Sequence, residues 1–305
     1  MSRTVLEVSN LSVIFKMYGK GLEQKNLEVI HDLSLDIKEG EIMAVVGSSG
    51  SGKSLLAHAI LGILPGNAST TGQIRYQGEL LTEKEKKRLR GNGIAFIPQS
   101  VEYLDPLMRV DRQVMGVRGS REQQQAAFKR CHLDPSDGKK YPFQLSGGMA
   151  RRVLISAATL EKAGLIVADE PTPGLNVEMA METLQHFRKL ADSGCGVLLI
   201  THDVDLALQV ADRISVFYAG TTVEITSAED FRQGGPALRH PYSRAFHSAL
   251  PQNEFKPIPG FQPYAGELPT GCLFAPRCPE RTGACRGQVP MRELRGGKVR
   301  CINAT

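Results

Sequence analysis

Nowhere in its 305 residues does the sequence hold an apolar run approaching the roughly 18 residues that cross a bilayer, which excludes a membrane-spanning helix. A signal-peptide apolar region is also missing. Met1-Ser2-Arg3-Thr4 leads straight into the alternating Val5-Leu6-Glu7-Val8, so a cytoplasmic protein is expected. Neither sign of charge dominates: 37 Lys and Arg against 32 Asp and Glu leave +5, spread along the chain, and no nucleic-acid partner is expected. Cysteines are few, six in all, and in a cytosolic chain they do not read as disulfides. Cys131 and Cys195 read as ordinary core residues, whereas Cys272, Cys278, Cys285 and Cys301 crowd into the last 34 positions. Hydrophobic residues at 41% and charged residues at 23% describe a globular chain, long enough for one large domain plus an appendage, or for two domains.

What is present is organised around Gly47-Ser48-Ser49-Gly50-Ser51-Gly52-Lys53-Ser54. It follows the apolar run Ile42 to Val46 and opens a helical pattern carrying Leu55, Leu56, Ala59, Ile60 and Ile63. Strand, glycine-rich loop and helix is the context in which G-x-x-x-x-G-K-S holds a nucleoside triphosphate. The glycines let backbone N–H groups curl around phosphate oxygens, and the helix start adds the positive end of its dipole. Lys53 is then expected on the β- and γ-phosphates and the Ser54 hydroxyl on Mg²⁺.

Before this unit, Leu6, Val8, Leu11, Val13 and Phe15, then Leu27, Val29, Leu33 and Leu35, alternate with polar residues. That predicts antiparallel strands separated by a polar loop from Gly19 to Asn26. After it, Gly72 to Gly78 reads as a short strand and turn, Thr82 to Arg90 as a solvated helix, and Gly93 to Phe96 as an apolar strand. Residues from about 100 to 145 are polar, helical in propensity from Arg121 to Arg130 and without strand signal, predicting a small helical subdomain. Leu145-Ser146-Gly147-Gly148-Met149 then opens a helix, and Leu165 to Ala168 is a buried-strand run ending in Asp169-Glu170. A helix over about Val177 to Ser193 leads to the strand Val197 to Ile200, which ends in Thr201-His202-Asp203, and the alternation repeats through Tyr218. Apolar strands alternating with helices predict an α/β fold around a parallel sheet. The rhythm ends near Thr226. The expected division is a nucleotide-binding domain over 1–225 and a proline- and glycine-rich extension over 226–305.

Parallel sheets present active groups at strand C-termini, so the phosphate loop, Asp169-Glu170 and His202 are expected to converge. Asp169 suits Mg²⁺ opposite Ser54, Glu170 is placed to polarise an attacking water, and His202 is placed to contact the γ-phosphate. Ser146-Gly147-Gly148 reads as a second anion cradle at a helix start.

Over nearly its whole length the chain resembles the ATP-binding subunits of ABC transporters. Gly47 to Ser54 is similar to the Walker A loop, Gln99 to the Q-loop, Leu145 to Met149 to the signature, Leu165 to Glu170 to the Walker B strand with its catalytic glutamate, and His202 to the switch histidine. His240-Pro241-Tyr242-Ser243-Arg244-Ala245 and Gly271-Cys272-Leu273-Phe274-Ala275-Pro276-Arg277-Cys278-Pro279 resemble the oligopeptide/dipeptide/nickel importer group. The resemblance implies a RecA-like P-loop NTPase core with an antiparallel β subdomain, a small helical subdomain and an irregular cysteine-rich C-terminal extension. It implies ATP and Mg²⁺ as cofactors, with Gln99 at the nucleotide and its metal, and Ser146, Gly147 and Gly148 closing over ATP on another protomer. The implied partners are two transmembrane permease subunits, a second similar ATPase chain and, indirectly, an extracytoplasmic solute-binding protein. The implied location is the cytoplasmic face of the membrane. The chain departs from the family pattern at Asn176, where aspartate is usual, at Arg151, where glutamine is usual, in a shortened helical insertion, and at Leu27. Leu27 stands where the family stacks adenine on an aromatic ring, with Phe15 and Tyr18 the nearest substitutes.

The tail cysteines are separated by five, six and fifteen residues, which suggests a metal centre. Zinc sites favour paired C-x₂₋₄-C knuckles, absent here, whereas Cys₄ ligation of a [4Fe–4S] cluster tolerates irregular loops, and free cysteines remain an alternative. Resemblance to importer subunits with such a tail also implies the cluster. Two other functions compete with a transport ATPase. A soluble ABC clamp in translation or DNA repair generally carries two cassettes or a long coiled-coil insertion, and a regulatory module would not need Glu170 and His202.

Overall fold

The computed structural model describes residues 3–19 and 23–305. Strands β1 (Thr4–Tyr18) and β2 (Gln24–Lys38) form a long antiparallel hairpin. Both strands reach further than the alternation predicted, so the polar residues Gln24 to Asn26 lie in β2, and residues 20–22 of the expected loop lie outside the described residues. After β3 (Ile42–Gly47) and α1 (Lys53–Leu61), β4 (Ala68–Tyr76) and β5 (Glu79–Leu80) complete a four-stranded sheet in the order β2-β1-β4-β5. Val5, Leu6, Val8, Leu11 and Val13 turn inward from it onto a core that includes Leu56 and Ile60 of α1.

Helix α2 (Glu83–Leu89) begins at the cap Thr82, whose side chain accepts from Glu85 N. Strand β6 (Ile94–Ile97) follows, then α3 (Val110–Met115) and α4 (Arg121–Arg130), the latter closed by a Ser120–Gln123 capping box. Helix α5 (Gly147–Ala158), β7 (Leu165–Asp169), α6 (Val177–Asp192), β8 (Gly196–Ile200), α7 (Val204–Leu208) and β9 (Arg213–Tyr218) then alternate. Strands β3, β6, β7, β8 and β9 are parallel, and β3, β7 and β8 are buried throughout, as continuous apolar runs between helices require.

Strand β10 (Thr221–Ser227) turns back antiparallel on β9, and α8 (Ala228–Gln233) and α9 (Pro241–Ser248) follow. The extension is less irregular than its composition predicts. Its last segments, β11 (Arg292–Leu294) and β12 (Gly297–Val299), join the main sheet, giving the order β11-β12-β10-β9-β3-β8-β7-β6. The tail is also tied to the body by charge and aromatic packing. Glu224, fully buried in β10, accepts from the Arg239 and His240 backbone N–H groups, both at 2.8 Å, and pairs with the buried Arg239 guanidinium. Lys298 reaches Asp36 at 2.8 Å and Arg300 reaches Asp32 at 2.7 Å, both on β2. The buried Phe274 ring packs against Tyr218 and Tyr242, with centroids 5.4 and 5.3 Å away.

Candidate nucleotide site

The phosphate loop joins the end of β3 to the start of α1 and is shaped by glycine. Gly47, Gly50 and Gly52 have φ of 153°, 74° and 97°. A Cβ on Gly47 would lie 2.3 Å from the Phe217 carbonyl oxygen of β9, so neither the conformation nor the space admits a side chain there. Lys53, only 8% exposed, folds back and donates to Gly47 O at 2.9 Å and Ser48 O at 3.0 Å. Burial depresses the affinity of its amine for a proton, opposed by Glu170 and Asp169. Ser49 and Gly50 stand exposed at the loop's tip, and the buried Ser51 hydroxyl has no hydrogen-bond partner.

The end of β7 faces this loop, with the ends of β8 and β6 on either side of β7. Asp169 closes β7, buried, with Ser54 among the groups that act on its carboxyl. Burial pushes its carboxyl above the usual range, Ser54 and the cations Lys53 and Arg151 pull it down, and the Glu170 charge pushes it up again. Its Oδ1 is buried without a partner, the donor set a hard cation accepts. Glu170 has φ of 47°, left-handed for a non-glycine residue, and is held there by its N–H bond to Ile200 O at 2.9 Å. Its Oε1 lies 2.9 Å from His202 Nδ1 beyond β8, while Oε2 is buried without a partner. Gln99 is exposed just beyond β6.

Ser146 caps α5, its hydroxyl accepting from Met149 N at 3.3 Å, and with Gly147 it is exposed. Gly148 packs so closely that a Cβ would meet Gly174 O at 2.9 Å. Among the described residues no hydrogen bond joins Ser146, Gly147 or Gly148 to the 47–54 loop, so the structure does not bring these two anion cradles together within one chain. Asn176 caps α6, accepting from Met179 N at 2.9 Å.

Two contacts escaped the sequence. Arg151, buried in α5, donates from Nη1 to Pro98 O at 2.5 Å and from Nη2 to Gln99 O, fastening the signature helix to the segment that carries Gln99. Ser48 donates to Gln262 Oε1 at 2.6 Å, so the extension reaches the phosphate loop. Burial pushes the Tyr242 phenol up to about 12. Neither contact leaves a local sequence signal, since the partners lie 52 to 214 residues apart.

Of the tail cysteines, Cys285 and Cys301 are buried and Cys272 and Cys278 half-buried. Burial raises the thiols of Cys272, Cys278 and Cys301, and the neighbouring cysteines add to the effect, which places the four in one corner. Among the described residues, however, no three Cys, His, Asp or Glu side chains are arranged to hold a metal ion. As they stand, the thiols do not form a ligand set for a cluster. The largest cavity described, about 660 Å³, lies between the tail and β2, lined in part by Asp32, His240, Cys272 and Arg300 and separate from the phosphate loop.

A Lys-bearing phosphate loop after β3, facing Asp169 and Glu170 at the end of β7 with β8 between the two strands, together with the Ser146-Gly147-Gly148 start of α5, defines the class of ATP-binding cassette ATPases. A dimeric ATP-binding cassette in a post-hydrolysis state, bound to ADP and Pi, superposes with a TM-score of 0.65 at 26% identity, covering 73% of this chain and 98% of that one. The sequence matches the ABC transporter family over residues 30–173 and the oligopeptide/dipeptide transporter C-terminal region over residues 223–285. The dipeptide transport ATP-binding protein of Bacillus subtilis is 33% identical, spanning 95% of this chain and 91% of its own length. The oligopeptide transport ATP-binding protein of Salmonella typhimurium is 33% identical over 98% of this chain and 93% of its own. The chain belongs to the family of ABC transporter ATP-binding proteins that carry the oligopeptide/dipeptide transporter C-terminal region.

Proposed function

We propose that this chain is the ATP-hydrolysing subunit of an importer that moves peptides, nickel or a related small solute, working at the cytoplasmic face of the membrane. The observation that carries the reading is similarity to dipeptide and oligopeptide transport ATP-binding proteins through both the cassette and the C-terminal region. No observation favours a soluble clamp in translation or repair. Among the described residues no helix is long and apolar enough to cross a membrane, so the translocation path belongs to partners: two permease subunits, fed by an extracytoplasmic solute-binding protein.

In this reading the loop N–H groups of Gly47 to Ser54 cradle the phosphates, and Lys53 exchanges its two carbonyl partners for phosphate oxygens. Mg²⁺, when bound, neutralises charge on the β- and γ-phosphates, and Ser54, Asp169 and Gln99 are the residues that would hold it. Glu170 turns its unpartnered Oε2 toward the water that attacks the γ-phosphorus, accepting a hydrogen bond that orients it. His202, fixed at Nδ1 by Glu170, keeps Nε2 free for the γ-phosphate. Ser146 and Gly147, exposed at a helix start, and the half-buried Gly148 complete the site of a second ATPase chain, as theirs would complete this one.

A [4Fe–4S] centre at Cys272, Cys278, Cys285 and Cys301 is the finer reading of the tail. The shared corner supports it, ligation requires the thiols to close further, and iron and sulfide analysis after anaerobic purification decides it. For the ATPase reading, the purified chain is expected to hydrolyse MgATP, and Glu170→Gln to lower turnover at least about a hundredfold while retaining nucleotide. Unchanged turnover in that variant removes Glu170 from catalysis.

A further inference from the structure

The segment from Pro259 to Glu267 crosses the nucleotide face of the cassette instead of lying with the rest of the tail. Arg277 holds its first end, donating from Nε to Pro259 O at 2.7 Å and from Nη2 to Ile258 O at 2.9 Å. The guanidinium itself rests over the Tyr218 and Phe274 rings, 6.0 and 5.9 Å from their centroids. Gln262 pins the middle through its 2.6 Å bond from Ser48 of the phosphate loop. At the far end Glu267 N donates to Tyr264 O at 2.9 Å, closing a turn that sets Gly266 between two side chains. A Cβ at Gly266 would lie 2.7 Å from the Tyr264 ring and 3.6 Å from Leu27 Cδ1.

This geometry brings the Tyr264 ring and Leu27 of β2 together around Gly266. Strand β2 runs past the start of α1, where a Cβ on Gly52 would meet Ile30 Cγ1 at 3.5 Å and Val29 O at 3.6 Å. Leu27 lies two residues further out, about 7 Å along the strand, in the direction in which a ribose carries a base away from phosphates held at the loop. Of the two hairpin aromatics, Phe15, opposite Leu27, packs against the core, and Tyr18, though 71% exposed, lies three residues further out along β1. Tyr264 is 64% exposed two residues beyond Gln262, in a turn of a segment that is fastened at its first end and in its middle.

We propose that Tyr264 supplies the aromatic face on which the nucleobase stacks, with Gln262 holding the segment in register against the phosphate loop. The proposal rests on nucleoside triphosphate binding at residues 47–54, and it adds a base platform contributed by the C-terminal extension. Stacking on a phenol or phenyl ring is tolerant of base identity, because every base has a π face.

The test compares ATP with inorganic tripolyphosphate, which has the phosphates and no base, on the full chain by equilibrium binding. Tyr264→Ala is expected to weaken ATP about tenfold and leave tripolyphosphate binding unchanged, and Tyr264→Phe to keep the wild-type ATP affinity. Phe261→Ala, three residues from the ring beside Leu27, is expected to bind ATP as the wild type does. Unchanged ATP affinity in Tyr264→Ala, or equal loss of both ligands, overturns the base platform. A wild-type chain that binds neither ligand overturns the phosphate-site reading instead, so the two failures are distinguishable.

Discussion

The residues that make the site legible in the sequence are those whose chemistry demands a fixed local context. Lys53 and Ser54 had to open a helix after a glycine loop, and Asp169 and Glu170 had to end an apolar strand, so spacing alone located them. The Glu170–His202 contact at 2.9 Å could be anticipated only as convergence of strand ends, since the residues are 32 positions apart, 202 minus 170. Arg151 read only as a departure from a family pattern. Its guanidinium clasps the Pro98 and Gln99 carbonyls, and the charges of Asp169 and Glu170 act on it against the cost of its burial. Truncating it leaves buried carbonyls unpaired, and Arg151→Ala is expected to destabilise the chain by about 1–3 kcal/mol, read as a lower denaturant midpoint. It also frees Gln99, so a higher Mg²⁺ concentration for half-maximal ATPase is expected. Arg151→Lys, without the two-pronged geometry, should rescue neither. A variant with wild-type Mg²⁺ dependence would show that the clasp serves the fold alone.

Among the elements, long apolar strands and capped helices announced themselves, whereas β11 and β12 did not. Each is three residues, rich in charge, and pairs at a sheet edge, where period-two alternation has no room to develop. Helix α9 shows how the tail's order is titratable. His240 caps it with Nδ1, which accepts from Tyr242 N at 2.9 Å and must be unprotonated to do so. Burial of the ring holds its pKa down at about 3, against 6.5 for the free side chain. The unfolded chain therefore binds one more proton than the folded chain between these values, and stability falls as pH drops below about 6.5, by about 1.4 kcal/mol per unit. Urea unfolding at pH 7 and pH 5 is expected to show a His240 share of about 2 kcal/mol. His240→Asn keeps a cap acceptor that does not titrate and should remove that share from the pH dependence. An unchanged slope would assign the acid sensitivity to other groups.

At the scale of the whole molecule, the proposed function makes the cassette one half of a machine. Its phosphate loop, strand-end carboxylates and His202 share one face, while Ser146 and Gly147 stand exposed on a separate helix start that, among the described residues, makes no hydrogen bond to that loop. Tyr103, Leu107, Met108 and Phe143, 54%, 85%, 41% and 74% exposed, present apolar surface on the helical part, which we propose as the face that docks on a permease subunit. Leu107→Asp is accordingly expected to leave MgATP binding by the isolated chain intact and to abolish co-purification with the permeases. Closure over ATP has a separate requirement. Glu170→Gln with MgATP should accumulate a dimer, with itself or with a second ATPase chain, because hydrolysis no longer reopens the interface. A bulky side chain at Ser146 would fill the cradle that receives the partner's γ-phosphate, so Ser146→Tyr in the Glu170→Gln background is expected to bind ATP normally and stay monomeric. Sedimentation of the two variants with and without ATP checks both arms: an ATP-dependent dimer that survives Ser146→Tyr would place the second anion cradle outside the interface, and a Glu170→Gln chain that stays monomeric with its partner ATPase present would reject a composite site.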